Sequence, residues 1–170
     1  MILPTDTVYG LCAWPFQAET VERIYRLKGR DVSKPSALLA ASVDGLAEAF
    51  PELDLDLAAE YFPGPYTLIV PNPENRFVWL TGTNPGAIGV RVPNLPPGAA
   101  EVVHAVGVVC ATSANAAGGP NPRRVEDIPG DIRAACGAVV DAGELPGVPS
   151  TVIDLTGEKP RVLREGAASS

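Results

Sequence analysis

The fold is decided by the apolar run Val106-Gly107-Val108-Val109-Cys110 and by the small and polar residues that follow it, Ala111-Thr112-Ser113-Ala114-Asn115-Ala116-Ala117-Gly118-Gly119. The run has the length and β-branched content of a buried sheet strand. In open α/β sheets, ligands bind outside the carboxyl ends of strands. Ser113 and Asn115 would lie there, where a hydroxyl and an amide can donate to phosphate or carboxylate oxygens. An ordinary Ser/Asn turn is the competing interpretation.

The length and composition predict one domain. The chain has 170 residues, of which 46% are hydrophobic, enough to form a single core. Its three cysteines are far apart and lack Cys-x-x-Cys spacing, so we expect neither a zinc site nor a disulfide framework. No basic segment precedes an apolar signal core, and no apolar stretch approaches the length of a membrane span. The sequence therefore predicts a cytoplasmic protein without membrane contact.

The distribution of charge predicts an anion-binding pocket. The net charge is −7, which argues against a nucleic-acid coat or a membrane-surface protein. No lysine or arginine occurs between Pro35 and Asn75. The bases gather instead beside turn motifs, at Lys28, Arg30, Lys34, Arg91, Arg123, Arg124, Arg161 and Arg164. Clustered bases in an acidic protein favour a local site for an anion.

Hydrophobic periodicity predicts strands that alternate with helices. Strands are expected in two pieces of 2–12 and at 36–41, 66–70, 87–93, 106–110, 138–141, 149–154 and 161–166. Helices are expected at 19–28, 42–50, 54–61, 97–106 and 131–136, the first ended by Gly29 and the last by Gly137. The long polar loop 71–85 is a candidate lid or substrate flap, with surface elaboration as an equal alternative.

Two charged or polar positions have more than one interpretation. Arg91 stands between valines of a predicted central strand, so it needs an anionic partner, and an internal salt bridge is favoured over a ligand. Thr5, Asp6 and Thr7 form a turn that either contributes chemistry or only bonds to its own backbone. The single histidine, His104, has no nearby nucleophile and predicts no catalytic triad.

Motifs that are missing narrow the chemistry. The chain has no Gly-x-Gly-x-x-Gly after a strand, no P-loop, no His-Glu-x-x-His and no Gly-x-Ser-x-Gly. What remains is a set of hydroxyl, amide and basic side chains on turns beside strands, which suits a polyphosphate and a carboxylate. Transfer at phosphorus depends mainly on positioning and charge stabilisation, so a nucleotide-dependent transferase needs no obvious nucleophile.

Six short motifs follow one another along the chain. They are Pro-Thr-Asp-Thr-Val-Tyr-Gly-Leu at 4–11, Lys-Gly-Arg at 28–30 with Lys34-Pro35, Pro-Gly-Pro-Tyr-Thr-Leu at 63–68, Gly-Val-Arg-Val-Pro at 89–93, Thr-Ser-Ala-Asn at 112–115 and Ser-Thr-Val-Ile-Asp at 150–154. Together and in this order they resemble the YrdC/TsaC family of threonylcarbamoyl-AMP synthases. The resemblance implies an α/β fold, a single-domain twisted mixed β-sheet flanked by helices, with a basic cleft. The domain would span residues 1–166, followed by a frayed tail at 167–170.

The resemblance also implies a reaction. L-threonine, bicarbonate or CO2, and ATP would give threonylcarbamoyl-AMP and diphosphate, for threonylcarbamoyladenosine (t6A) modification of tRNA. Such an enzyme is a nucleotidyltransferase. Its partners would be tRNA-modification proteins that accept the adenylate, with weak RNA binding besides. Mg²⁺ would be carried on the triphosphate with no protein metal site.

Family likeness assigns the site residues by position. The catalytic quartet falls on Lys28, Arg30, Ser113 and Asn115, and the ATP-binding set adds Lys34 and Arg164. Thr5, Arg91 and Ser150 match the threonine-binding positions, with Arg91 pairing with the substrate carboxylate.

One departure and two alternatives accompany this interpretation. Relatives usually carry a helix and a full strand before the Pro-Thr-Asp-Thr motif, and here only Met1-Ile2-Leu3 precede it, so this part of the family fold is expected to be missing. One alternative function is a double-stranded RNA-binding module, which would need a long basic groove rather than a pocket. The other is a paralogue that handles a carbamoyl-adenylate or is inactive.

Overall fold

The computed structural model describes residues 1–168 and contains one mixed sheet of eight strands. The strands are β1 (Ile2–Pro4), β2 (Tyr9–Ala13), β3 (Ala37–Ala40), β4 (Tyr66–Pro71), β5 (Ala87–Arg91), β6 (Val108–Ser113), β7 (Thr151–Asp154) and β8 (Arg161–Arg164). Their order is β1-β2-β6-β3-β5-β4-β7-β8. The β3–β5 and β4–β7 pairs are parallel and the other neighbouring pairs are antiparallel. The predicted single mixed sheet flanked by helices is confirmed.

Within residues 1–168, five α-helices flank the sheet, and four of them have a capping residue at one end or a proline at the first position. They are α1 (Ala18–Lys28), α2 (Val43–Ala49), α3 (Leu55–Ala59), α4 (Pro97–Val106) and α5 (Gly130–Ala134). Gly29 adopts the left-handed conformation and ends α1. The side chains of Ser42 and Asp54 accept backbone hydrogen bonds at the starts of α2 and α3. Pro97 opens α4, where a missing N–H costs nothing.

The two faces of the sheet are covered unequally. The larger core cluster joins the sheet to α1, α2, α3 and α5 through buried residues such as Ile24, Phe50 and Ile132. The smaller cluster places Ala99 and Val103 of α4 against Leu39 and Val109. Because α4 is the main helix on that second face, the part of the face next to it can hold a ligand.

Several predicted elements differ from those in the structure. The central strand begins at Val108 and runs through Ser113, since Val106 ends α4 and Gly107 turns the chain with a positive φ of 82°. Ala111 to Ser113 are therefore strand rather than turn. Residues 138–141, which were predicted as a strand, form none. Their β-pairing is limited to one isolated parallel bridge between Val139 and Ile2. Helix α5 also ends at Ala134, before the predicted Gly137 cap.

The interpretation of loop 71–85 as a lid is wrong. Phe77 and Leu80 are buried in the larger core, and the Ser36 N–H donates to the Leu80 carbonyl oxygen. The Trp79 indole N–H donates to the Pro15 carbonyl oxygen over 2.7 Å. None of these residues lines the main cavity described below. The segment is part of the scaffold on the opposite side of the sheet.

The tail predicted at 167–170 lies partly outside the described residues, which end at 168. Its first two residues are not frayed: the Ala167 N–H donates to the Pro149 carbonyl oxygen over 2.8 Å, and Ala168 is buried. Gly166 packs so closely that an added Cβ would lie 2.3 Å from the Pro149 carbonyl oxygen. Residues 166–168 are thereby held against the start of β7. No helix within residues 1–168 has the length and apolar character needed to cross a membrane.

Candidate active site

A cavity of about 300 Å³ opens on the face of the sheet that α4 covers only in part. Its floor includes Ala37, Gly89 and Ala111, which lie side by side because Ala37 pairs with Gly89 on β5 and with Ala111 on β6. Small side chains at neighbouring positions of one face leave room for a ligand to approach the sheet. The register of the central strands therefore creates the cavity.

Six of the nine predicted site residues line this cavity, namely Thr5, Arg30, Arg91, Ser113, Ser150 and Arg164. They come from the β1–β2 turn, the segment after α1, and strands or strand ends of β5, β6, β7 and β8. The other three, Lys28, Lys34 and Asn115, are not among its lining residues. Lys34 is exposed in the loop before β3.

Lys28 and Asn115 lie directly behind Ser113. The Lys28 ammonium donates to the carbonyl oxygens of Ser113 and Asn115 and, over 3.0 Å, to the Asn115 side-chain oxygen. The Ser113 hydroxyl donates to that same side-chain oxygen over 2.6 Å. Burial, with the nearby Arg30 charge, lowers the pKa of Lys28 to about 8. Three members of the predicted quartet are thus joined in one hydrogen-bond network.

Arg30 and Arg164 carry charge that no described carboxylate compensates. Neither forms an ion pair within residues 1–168. Arg30 donates from Nη2 to the Pro35 carbonyl oxygen over 2.9 Å, and its buried Nε has no partner among the described residues. Burial and the neighbouring Arg30 charge lower the pKa of Arg164. Two cations that repel each other beside a cavity favour an anionic ligand.

Arg91 has the internal salt bridge that the sequence favours, and it lines the cavity as well. Its Nη2 donates to Asp6 Oδ1 over 2.6 Å and to the Thr7 hydroxyl over 2.7 Å. Its Nε is buried without a partner among residues 1–168. The pKa of Arg91 is lowered, because the effect of burial is larger than the opposing effect of the Asp6 charge. Because guanidinium has five N–H donors, the contacts with Asp6 and Thr7 leave donors for a ligand carboxylate.

The Thr5 hydroxyl is engaged within its own turn. It donates to the Val8 carbonyl oxygen over 2.8 Å and accepts from the backbone N–H groups of Thr7 and Val8. The local interpretation of this turn is therefore correct for the Thr5 hydroxyl, although Thr5 also lines the cavity. Its hydrogen bonds fix the turn from which Asp6 reaches Arg91.

Ser150 is held by neighbours on both sides. Arg164 donates to the Ser150 carbonyl oxygen over 2.8 Å and to its hydroxyl over 3.2 Å. The Ser150 hydroxyl also shares a hydrogen bond of 2.8 Å with the Thr67 hydroxyl. An added Cβ at Gly166 would lie 2.4 Å from the Ser150 carbonyl carbon. The end of β8 and the chain after it thus determine where Ser150 lies.

Sequence reasoning assigned no site role to four polar residues of the site, which are Asp6, Thr7, Thr67 and Asn121. Asp6 and Thr7 were named only as members of a turn that could contribute chemistry. Asp6 holds Arg91, while Thr7, Thr67 and Asn121 line the cavity. Asp6, Thr7 and Thr67 lie inside the Pro-Thr-Asp-Thr and Pro-Gly-Pro-Tyr-Thr-Leu motifs. Their position in these motifs could have identified them as site residues. Asn121 lies between two prolines and carries no such signal.

Comparisons with known proteins identify the family of this chain. The model of the Sua5/YciO/YrdC family, described by the words telomere recombination, matches residues 1–166. A Pyrococcus abyssi relative named threonylcarbamoyl-AMP synthase is 35% identical over 96% of this chain and 49% of its own length. A Mycobacterium tuberculosis relative, given the same name provisionally, is 33% identical over 100% of this chain and 79% of its own length.

A solved structure gives the same result for the fold. Pyrococcus abyssi Sua5 in complex with L-threonine matches with a TM-score of 0.82 and 35% identity, over 97% of this chain and 49% of the Sua5 chain. The chain thus spans about half the length of the Pyrococcus proteins and more than three quarters of the mycobacterial one. The family match and the identity of these relatives together show that the chain belongs to the Sua5/YciO/YrdC family.

Proposed function

We propose that this protein makes L-threonylcarbamoyl-AMP and diphosphate from L-threonine, bicarbonate or CO2, and ATP, for t6A modification of tRNA. In this reaction it acts as a nucleotidyltransferase. The observation that carries the proposal is one cavity lined both by uncompensated cations, Arg30 and Arg164, and by the buried Arg91 with its own counter-ion. The first arrangement suits a polyphosphate and the second suits the single carboxylate of an amino acid.

The ATP phosphates would bind where the Arg30 and Arg164 charges meet. Ser113, at the carboxyl end of β6, would add a hydroxyl, and the Lys28 ammonium behind it would add positive charge. Asn115 would keep the loop after β6 in place, because its side-chain N–H donates to the Gly119 carbonyl oxygen over 2.6 Å. Lys34 would reach the nucleotide from the exposed loop.

L-threonine would bind on the Arg91 side. Its carboxylate would accept hydrogen bonds from the Arg91 donors that Asp6 and Thr7 leave free. Thr5 would border the amino acid, and Ser150 would supply a hydroxyl. Pyrococcus abyssi Sua5 was solved in complex with L-threonine, which supports L-threonine as a ligand of this chain.

The chemistry needs positioning more than covalent help. A carbamate oxygen formed on threonine attacks the α-phosphorus, a new P–O bond forms, and the bond to the β-phosphate oxygen breaks as diphosphate leaves. Holding both substrates in one cavity supplies the alignment, and Arg30 and Arg164 stabilise the charge that accumulates on diphosphate. Mg²⁺ would arrive on the triphosphate; residues 1–168 hold no cluster of three histidine, cysteine or acidic side chains that could bind a metal.

The product would pass to tRNA-modification proteins in the cytoplasm.

The compact cavity does not favour the alternative of a double-stranded RNA-binding module, which needs a groove tens of ångströms long, on the scale of about 16 base pairs. Any RNA contact of this chain would be weak, given its net charge of −7.

The experiment that tests the proposal measures diphosphate release from ATP with and without L-threonine and bicarbonate. We expect release only when both are present, with threonylcarbamoyl-AMP detected by mass spectrometry. Release that does not depend on threonine, or none under any condition, would contradict the proposal. A salt-sensitive RNA gel shift without nucleotide turnover would favour the RNA-binding alternative.

A further inference from the structure

The hydroxyls of Thr67 and Ser150 form a pair in the cavity wall, and only the Ser150 hydroxyl has been given a role above. Thr67 lies on β4 and Ser150 directly precedes β7, so adjacent parallel strands bring the two side chains together. Their oxygens lie 2.8 Å apart, and both residues line the cavity. Ser150 is buried and Thr67 is half-buried.

Counting hydrogens shows that this pair is incomplete. Two hydroxyls have two hydrogens, and the bond between them uses one. The Ser150 oxygen also accepts from Arg164 Nη2 over 3.2 Å. Whichever hydroxyl donates within the pair, the other keeps a hydrogen for which residues 1–168 provide no further hydrogen-bond partner. The pair therefore offers one donor, and an accepting lone pair on Thr67, to a ligand.

The surroundings of the pair are apolar on the side of the sheet. Val152 is the register partner of Thr67 on β7, and Ile69 lies two residues further along β4 on the same face. A ligand group that meets this wall would gain from having a hydroxyl next to a methyl group. The side chain of a β-hydroxy amino acid with one further methyl group has that combination.

We propose that Thr67, together with Ser150, binds the side-chain hydroxyl of the amino-acid substrate and so selects it over the analogue that lacks this hydroxyl. The inference rests on the proposed function for the identity of the substrate. Arg91 then holds the carboxylate, and Val152 and Ile69 contact the methyl group. Thr67 is thereby a specificity-determining residue for the amino acid.

The test is a binding measurement, because binding does not require turnover. L-threonine and L-2-aminobutyrate, which lacks the hydroxyl, are titrated calorimetrically into the wild type and the Thr67→Val and Thr67→Ser variants. A nonhydrolysable ATP analogue is present throughout. We expect the wild type to prefer L-threonine by about tenfold or more, because a site that binds a hydroxyl discriminates against its absence. The preference should fall to within about threefold in Thr67→Val and be retained in Thr67→Ser.

The matched control is Thr81→Val, since Thr81 is a buried threonine whose hydroxyl donates to the Val78 carbonyl oxygen and does not line the cavity. This variant should keep the wild-type preference. Circular dichroism checks that each variant is folded. A Thr67→Val protein that still prefers L-threonine over L-2-aminobutyrate by the wild-type factor would overturn the inference, and so would a wild type without preference.

The two proposals fail in distinguishable ways. If binding depends on Thr67 as expected but no diphosphate is released, the proposed reaction is wrong and the inference about the hydroxyl stands. If diphosphate release requires L-threonine but Thr67→Val leaves the preference unchanged, only the inference about Thr67 is wrong. If L-threonine does not bind to the wild type at all, both are wrong.

Discussion

The cavity has two basic regions that are built differently. Arg30 and Arg164 form no ion pair with any described carboxylate, and Lys28 contacts only neutral oxygens. Arg91, in contrast, is held by Asp6 at 2.6 Å. We refer to Arg30 and Arg164, which line the cavity, together with Lys28 behind its wall as the uncompensated cations. The second arrangement is called the Arg91–Asp6 pair.

This difference explains how one cavity can bind two different anions, a triphosphate and a carboxylate, in separate regions. Uncompensated cations attract a highly charged ligand and gain most when it supplies several negative charges. A cation that already has a carboxylate partner attracts a further anion less strongly. Its remaining N–H donors are fixed in direction, however, so they select a ligand by the position of its oxygen atoms. The uncompensated cations therefore suit a triphosphate, and the Arg91–Asp6 pair suits the carboxylate of a zwitterion.

The largest effect is expected from Lys28→Ala and Ser113→Ala. Either change removes a member of the network behind the proposed phosphate site, and diphosphate release should fall by about a thousandfold, the scale of losing a preorganised electrostatic contact. Lys159→Ala, an exposed lysine, is the control and should keep full activity. Wild-type turnover by either folded variant would remove that residue from the mechanism.

The next largest effect concerns stability and comes from Asp6→Asn. This change leaves the Arg91 charge buried without a counter-ion, and the free energy of unfolding should fall by about 3 kcal/mol. Urea denaturation measures the change. Glu144→Gln, which weakens exposed ion pairs with Arg123 and Arg124, should lower it by less than about 1 kcal/mol. Equal losses in the two variants would mean that the two basic regions do not differ as described.

A smaller effect is expected from Arg30→Gln. Arg30 supplies charge without holding a carboxylate, so its loss should raise the KM for ATP by about ten- to a hundredfold while the KM for L-threonine changes little. Steady-state kinetics with each substrate in turn separates the two. Arg26→Gln, an exposed position of α1, is the matched control. A larger change in the KM for L-threonine than in the KM for ATP would reverse the assignment of the two regions.

The smallest effect is a dependence of ATP binding on pH. The pKa of Lys28 is lowered from 10.5 to about 8, so the ammonium is charged below pH 8 and loses its proton above it. Loss of this charge should weaken ATP binding a few-fold between about pH 7 and 9, measured calorimetrically without L-threonine. The Lys28→Ala variant should show no such change. A wild-type affinity for ATP that stays constant over this pH range would mean that the Lys28 charge does not contribute to phosphate binding.

The sequence predicted the elements better than their contacts. Helix α1, its Gly29 cap and helix α4 follow from local periodicity and capping residues, which act within a few positions. The strand order does not, because it depends on pairings between residues far apart in the chain, such as Ala37 with Ala111. The choice between a lid and surface elaboration for loop 71–85 stays open in the sequence for the same reason, because the partners of Leu80 and Trp79 lie in other segments.

The candidate site was predictable to a similar degree. That Arg91 needs an anion follows from the valines beside it, but its partner is 85 residues away and no local rule identifies it. The Lys28 contacts with Ser113 and Asn115 likewise join positions 85 and 87 residues apart. Residue types and motifs indicated the chemistry, while the hydrogen-bond partners required the fold.

The small residues on the cavity floor place function and stability in opposition. A Cβ added at Gly89 would lie 3.5 Å from Ile69 Cδ1, an ordinary contact, and alanine in a strand avoids the backbone entropy cost of glycine, roughly 0.5–1 kcal/mol. A methyl group there would nevertheless occupy space that a substrate needs. Selection for stability alone would therefore favour alanine at Gly89, whereas selection for substrate binding favours glycine.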